Sequence, residues 1–222
     1  MGFRLQTLQT TYLWEFLKKR QANCDVPLFA SNTNFLNIYR RKTRSMDMST
    51  KLPAFDRKSG TLNVIIETPR GCRNKYSYDE KRKLFKLGSI LPAGAVFPFD
   101  FGFIPRTLGA DGDPLDILVL MDEPAFAGCF VAARLLGVIE ATQTEDGRTG
   151  RNDRLIAVSA NAETHRGVKS LSDLDKKLID QIEHFFVSYN SEKGKKFKPI
   201  GRHGPKRAKR LIQRGERKRK RL

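Results

Sequence analysis

The chain has 222 residues, 39% of them hydrophobic, and a formal net charge of +18. That length suits one sizeable domain with tails, and no apolar run approaches the roughly 18–20 residues of a membrane span, so no membrane association is expected. The charge excess sits at the ends: residues 193–222 carry 15 Lys+Arg against the single acid Glu216, whereas residues 49–192 carry 19 against 20 acids.

Residues 1–48 read as an N-terminal extension, disordered or weakly helical, with a short apolar patch at Tyr12–Phe16 and basic runs at Lys18–Arg20 and Arg40–Arg44. Met46 or Met48 would serve as an alternative start. Met1–Gln21 mixes charged and polar residues, so no secretory leader is expected. Cys24, Cys72 and Cys129 are too few and too scattered for a disulfide framework. They suit free thiols in a reducing compartment, and a cytoplasmic location is the default. His165, His184 and His203 are too dispersed for a His-based metal site.

From Thr61 the pattern becomes regular. Leu62, Val64 and Ile66 alternate with Asn63 and Glu67, which predicts a strand ending before Pro69-Arg70-Gly71. Tyr76–Tyr78, a polar turn over Asp79–Lys83 and then Leu84–Leu87 predict a hairpin. Val96–Ile104 carries four Phe, with Pro98 and Gly102 limiting its regularity. Leu115–Met121, Phe130–Ala141 and Leu155–Val158 read as buried strands. Short strands punctuated by Gly and Pro suggest a closed or nearly closed antiparallel barrel. One helix follows: Ser172 with Asp175 resembles a capping box, and Leu174, Leu178, Ile182, Phe185, Phe186 and Tyr189 fall at helical spacing up to Asn190. Its apolar stripe is expected to cover the barrel.

The densest chemical signal is Asp111-Gly-Asp113-Pro-Leu-Asp116, three carboxylates within six residues. Pro114 forbids a helix through the segment, and Asp-Gly favours a turn. The carboxylates therefore cluster where a loop enters an apolar strand. Like charges gathered there repel, and burial worsens the cost. A divalent cation removes the conflict, and carboxylate oxygens are hard ligands suited to Mg2+ and its phosphate substrates. A plain surface turn would also explain Asp111-Gly112. An EF-hand would not, because Asp116 stands where that loop needs Gly.

Phe97-Pro-Phe-Asp-Phe-Gly-Phe-Ile-Pro105, then Thr107-Leu108, then Asp111-Gly-Asp-Pro-Leu-Asp116 resembles the signature region of the soluble Mg2+-dependent inorganic pyrophosphatases. The likeness runs from about Leu62 to Lys198. It implies a mainly β, α+β fold over residues 49–200: a five-stranded antiparallel OB-like β-barrel with flanking helices. It also implies Mg2+-dependent hydrolysis of pyrophosphate to two phosphates, with two or more ions bound, and a homo-oligomer. Asp111 and Asp116 would hold metal, Asp116 bridging, and Asp113 would accept a proton from the nucleophile or orient it. Glu67 would be the acid at the edge of the metal site. Lys75, Arg154 and Tyr189 would bind phosphate.

Five positions depart from the family pattern. A metal-binding Asp is expected where Asn152 stands, and Asp153 would supply it through a one-residue gap in a loop, although in a strand that slip turns its face away. An acid is expected near Ser77, a phosphate-binding Arg near Ser89, a Tyr hydroxyl at Phe101 and a Lys at Asn190. In the long 142–153 loop, Glu145 and Asp146 are candidates for a further metal-binding carboxylate. These departures imply a divergent subgroup with a thinned phosphate cradle and reduced activity. The alternative is a weakly active or inactive relative that binds nucleic acid through its basic ends. Residues 201–222 read as a basic tail: Ala208, Leu211 and Ile212 could make a short helical face, but Gly215 and Arg217–Arg221 argue against a long ordered helix, and residues 205–222 are a candidate nucleic-acid contact.

Overall fold

The structure is a computed structural model describing residues 52–220. The extension assigned to residues 1–48 lies outside the described residues. Five strands close a ring: β1 (Leu62–Thr68), β4 (Asp100–Phe103), β5 (Asp116–Leu120), β8 (Arg154–Ser159) and β6 (Phe130–Glu145), which returns to β1 through Leu62 opposite Ala133. β6 is 16 residues long and outruns the ring. Its far end pairs with β7 (Arg148–Arg151) and with β9 (Lys196–His203), neither of which the sequence pattern announced. β2 (Asn74–Asp79) and β3 (Leu84–Ile90) form the expected hairpin as a separate two-stranded sheet.

One pairing corrects the antiparallel expectation. β5 and β8 run parallel, with Leu118 opposite Ile156. Residues 121–153 separate them and hold both β6 and β7. That long connection lets the chain re-enter in the same direction, which a tight turn does not.

Two apolar clusters explain the strand sequences. Along β5, Leu118 and Leu120 join one cluster while Ile117 and Val119 join the other; β8 divides in the same way, Ile156 and Val158 against Leu155 and Ala157. Both faces are therefore covered, so these strands read as continuous apolar runs rather than alternations. The first cluster receives Ile179, Ile182 and Phe186 of helix α1 (Lys176–Ser191). The second receives Ala208 and Ile212 of helix α2 (Pro205–Arg219). At Gly102 the strands approach so closely that a Cβ would stand 2.0 Å from the Ile65 carbonyl oxygen, and only glycine fits.

Two further expectations are corrected. The capping box lies two residues earlier than Ser172/Asp175: Ser170 and Asp173 cap the 3-10 turn Leu171–Asp173, and Asp175 caps α1 by accepting the Lys177 N–H at 2.7 Å. The C-terminal segment is an ordered helix of 15 residues, not a tail. Pro205 opens it, where its missing N–H costs nothing. Ala208, Leu211, Ile212 and Gly215 fall at 3–4-residue spacing and face the barrel; Ala208 and Ile212 are fully buried. Burying one Ile contributes about 1.5–3 kcal/mol, more than the roughly 1 kcal/mol a mid-helix Gly costs. Among the described residues no helix is long and apolar enough to cross a membrane.

Candidate active site

The loop between β4 and β5 is shaped by its own polar contacts. Thr107 Oγ1 donates to the Ile104 carbonyl at 2.6 Å and accepts the Leu115 N–H at 3.0 Å, which closes the loop at its neck. The Gly109 N–H donates to the Asp113 carbonyl at 2.7 Å, and Asp111 Oδ1 accepts the Asp113 N–H at 3.2 Å. Gly112 sits at φ +92, a region that glycine reaches without strain. Helix α2 buttresses the loop from outside: the Leu108 N–H donates to the Gly215 carbonyl at 3.2 Å. A Cβ on Gly215 would lie 2.9 Å from Leu115 Cδ1, so the residue expected to break the helix is what lets it dock.

The loop presents Asp111 and Asp113 to a cavity of about 950 Å³, with Asp116 entering from the first position of β5. Glu67, Lys75, Arg154 and Tyr189 line the same cavity. Six of the predicted site residues thus join Glu67 at one place. Glu67 Oε2 pairs with Lys75 Nζ at 2.9 Å, and its Oε1 accepts the Tyr78 N–H at 2.8 Å. Lys75 Nζ also lies 4.3 Å from the Phe101 ring centroid, so Phe101 gives Lys75 an aromatic face where a hydroxyl was expected. Arg154 pairs with Asp116 at 2.7 Å, and its guanidinium carbon lies 4.9 and 5.4 Å from the Phe186 and Phe197 ring centroids. Its side chain is only 5% exposed, and Nε is buried without a partner.

Charge accumulation is visible in proton affinities. Asp116 is pushed up to about 6 by loss of solvent, with Glu67 and Asp111 adding to the rise and Arg154 and Lys75 opposing it. Asp113 is raised by desolvation, then by Asp111 and Glu67. Burial raises the Tyr189 hydroxyl, which keeps its proton and remains a donor. Among the described residues no three metal-ligating side chains converge into a ready-made cage. The acids instead line an open cavity, with Asp113 and Asp116 at elevated proton affinity. That donor set fits hard divalent cations that keep several waters, and such cations would relieve the crowding.

The inorganic pyrophosphatase family profile matches residues 64–220. An inorganic pyrophosphatase of Synechocystis is 41% identical over 146 residues, covering 66% of this chain and 83% of its own length. That of Halalkalibacterium halodurans is 42% identical over 136 residues, covering 61% and 80%. The crystal structure of the Thermus thermophilus inorganic pyrophosphatase matches with a TM-score of 0.70 at 32% identity, over 78% of this chain and 99% of that one.

This chain belongs to the inorganic pyrophosphatase family. Within a pyrophosphatase frame, the structure corrects two predicted metal ligands. Asp153 does not reach the cavity: it accepts the Ala141 N–H at 3.0 Å and pairs with Arg151 at 2.7 Å, on the side facing α2. Asn152 takes the inward place, accepting from Arg154 and donating to Gln143 Oε1 at 2.9 Å. The one-residue slip thus turns Asp153 away even though both residues lie in a loop. Asp146, at φ +49, forms with Gly147 (φ +72) the two-residue turn joining β6 to β7. It borders a neighbouring cavity shared with Asp111 and does not line the one that holds Asp116.

The other departures from the pyrophosphatase pattern are also placed. Ser77 lines the cavity as a neutral residue, and Glu145 is committed to Lys195 at 2.7 Å. Asn190 borders the cavity as a neutral, largely buried residue whose amide N–H donates to the Phe186 carbonyl at 2.7 Å. Sequence reasoning missed Gln143, Lys193 and Lys195, which all line the cavity. It also missed the pair Arg219–Glu80 at 2.9 Å, which ties α2 to the β2–β3 turn at the cavity edge. Lys193 alone had a usable signal, one helical turn beyond Tyr189.

Proposed function

We propose that this pyrophosphatase-family chain hydrolyses inorganic pyrophosphate to two phosphates with Mg2+, using two or more ions. One observation carries the reading: Asp111, Asp113 and Asp116 share a single cavity with Lys75, Arg154 and Tyr189. Asp111 and Asp116 would hold metal, with Glu67 at the edge of that site. The ions would neutralise substrate charge and activate water. Asp113 is proposed to take the proton of the attacking water, a role its raised proton affinity suits. Arg154 is fixed by Asp116 and two rings before substrate arrives, so its donation to phosphate needs little reorganisation. Lys75 is held at the cavity wall by Glu67, and the Tyr189 hydroxyl donates as a neutral group. Neutral Ser77 and Asn152 in place of acids support a turnover below that of fully acidic relatives.

The test is phosphate release from pyrophosphate with Mg2+ and with chelator, beside Asp113→Asn. Release that needs metal and falls about 10²–10⁴-fold in the variant is expected. No release from folded, metal-loaded protein would refute the reading.

A second reading, nucleic-acid attraction, is favoured by the exposed stripe Lys206, Lys209, Arg210, Arg214, Arg217 and Lys218 along α2. Salt-sensitive RNA binding lost on reversing Lys209 and Arg210 to Glu is expected; binding indifferent to those charges would remove it. Exposed Leu84, Leu87, Ile90, Phe126 and Phe130 support a homo-oligomer, which sedimentation would measure. The free thiols of Cys72 and Cys129 support a reducing, cytoplasmic setting.

A further inference from the structure

One wall of the cavity is a row of side chains set by the β6–β7 hairpin. Gln143 lies on β6 opposite Gly150 of β7, and the Asn152 N–H donates to the Ala141 carbonyl at 3.0 Å, which sets Asn152 beside Gln143. Asn152 Nδ2 donates to Gln143 Oε1 at 2.9 Å, and Asn152 Oδ1 accepts from Arg154 Nη1. Gln143 Nε2 donates to Glu145 Oε2 at 3.5 Å, and Lys195 Nζ pairs with that same oxygen at 2.7 Å. At the other end Arg154 Nη1 pairs with Asp116 Oδ2 at 2.7 Å. Lys195, Glu145, Gln143, Asn152, Arg154 and Asp116 thus form one unbroken row, and all of them line the cavity.

The charged ends of the row fix the two amides between them. A guanidinium only donates, so Asn152 must turn its oxygen toward Arg154 and its NH2 toward Gln143. Gln143 must then give its oxygen to Asn152 and its NH2 to Glu145, which only accepts when ionised. Neither amide can rotate to present its oxygen elsewhere without setting two donors or two acceptors face to face. Arg154 never sheds its proton, so a cation drawn to Asn152 Oδ1 would meet a permanent positive charge within hydrogen-bonding reach. Arg154 itself is gripped by Asp116 and Asn152 together, with the Phe186 and Phe197 rings against its guanidinium.

We propose that the Gln143–Asn152 pair is a positioning relay that fixes Arg154 and closes its wall to metal, so that divalent ions bind only among Asp111, Asp113, Asp116 and Glu67. The service of Arg154 to pyrophosphate rests on the pyrophosphatase reading; the closure to metal stands on the donor geometry alone. The relay puts a permanent side-chain cation where an acid at position 152 would recruit an ion. The chain therefore takes fewer ions than an acid at 152 would give it, and Arg154 stands in place before any ion arrives.

The experiment uses the full chain stripped of metal and counts bound Mn2+, which shares the oxygen preference of Mg2+, by electron paramagnetic resonance. Wild type is compared with Asn152→Asp and with the double variant Gln143→Glu/Asn152→Asp. Returning hard ligands to this wall is expected to add about one Mn2+ per chain, in the single variant or in the double. The same count in all three, each shown to be folded by circular dichroism, would overturn the closure. Gln143→Leu tests the relay, because it takes away the partner that holds Asn152 toward Arg154. KM for pyrophosphate is expected to rise about 3–10-fold, the worth of one neutral hydrogen bond, with kcat changed less. A lowered melting temperature with KM unchanged would mean a merely structural contact and overturn the positioning role. Absence of turnover in the wild type would overturn the pyrophosphatase reading instead, and the Mn2+ count would still decide the closure.

Discussion

Asp116→Asn should make the metal-free protein more stable and the enzyme inactive. The carboxyl of Asp116 titrates at about 6 against an ordinary 3.8, and the cause is desolvation that Arg154 and Lys75 only partly offset. Each unit is worth about 1.4 kcal/mol, so the ionised carboxylate costs the fold about 3 kcal/mol above pH 6. The sign follows from proton binding. Between pH 3.8 and 6 the native state holds a proton that the unfolded chain has released, so wild-type stability falls as pH rises through that window. Asn keeps the shape and the hydrogen-bond acceptor without the charge, and it escapes that loss. For a domain of this size 1 kcal/mol moves the melting temperature by about 2–4 °C, so at pH 7 in chelator the variant should melt about 6–12 °C higher. At pH 4 the two should melt together. Saturating Mg2+ should close the gap by stabilising the wild type alone, by about 2.7 kcal/mol at a hundred times its Kd. Thermal denaturation followed by circular dichroism at the two pH values, with and without Mg2+, gives all of these numbers. A variant no more stable than wild type at pH 7, or a gain that persists at pH 4, would refute the assignment of crowded charge at this position.

Gly102→Ala places a Cβ 2.0 Å from the Ile65 carbonyl, a backbone atom that cannot rotate aside. It should cost about 3 kcal/mol or abolish folding, read as soluble yield and melting temperature. Gly215→Val drives α2 against Leu115 and the Leu108 carbonyl, 2.9 and 3.3 Å from the new Cβ. It should cost about 1–3 kcal/mol and lower kcat about tenfold or more by displacing the carboxylate loop, measured beside an unchanged helical signal. Glu140 is buried and accepts from Arg207 and Arg151 at 2.7 and 2.9 Å. Desolvation alone would raise it, but those two cations outweigh burial and hold it below its usual 4.5. Its contribution is therefore present above pH 4.5 and is lost as pH falls below that value. Glu140→Gln should lose about 2 kcal/mol at pH 7 and little at pH 3.5, by denaturant titration.

The ring of strands was legible where apolar residues speak for themselves. Leu62, Val64 and Ile66 marked β1, and Asp111-Gly-Asp-Pro-Leu-Asp116 marked the loop that carries the carboxylates. β9 was not legible, because Lys196–His203 carries a Pro, a Gly and several charges, and it is a strand only because β6 extends past the ring to receive it. α2 was misread for a related reason. Its composition is that of a solvated tail, and its few apolar residues gain their value from a barrel wall that local sequence does not reveal. Asp153 and Asn152 differ by one residue, and only Asn152 reaches the cavity of Asp113 and Asp116, because Asp153 is held by Arg151 and the Ala141 N–H. Lys193 donates to the hydroxyls of Ser89 and Tyr189, which come from β3 and α1, far apart in sequence, so their meeting is a property of the fold.

The place of α2 after every strand has a temporal consequence. Translation releases the Asp111–Asp116 loop well before the residues that brace it, Gly215 against Leu108 and Arg219 against Glu80. A nascent chain that has released the ring strands still lacks Ala208 and Ile212 of the second apolar cluster and the outer support of the carboxylate loop. Closing the second apolar cluster and bracing the carboxylate loop thus depend on the same helix, so the two are completed together.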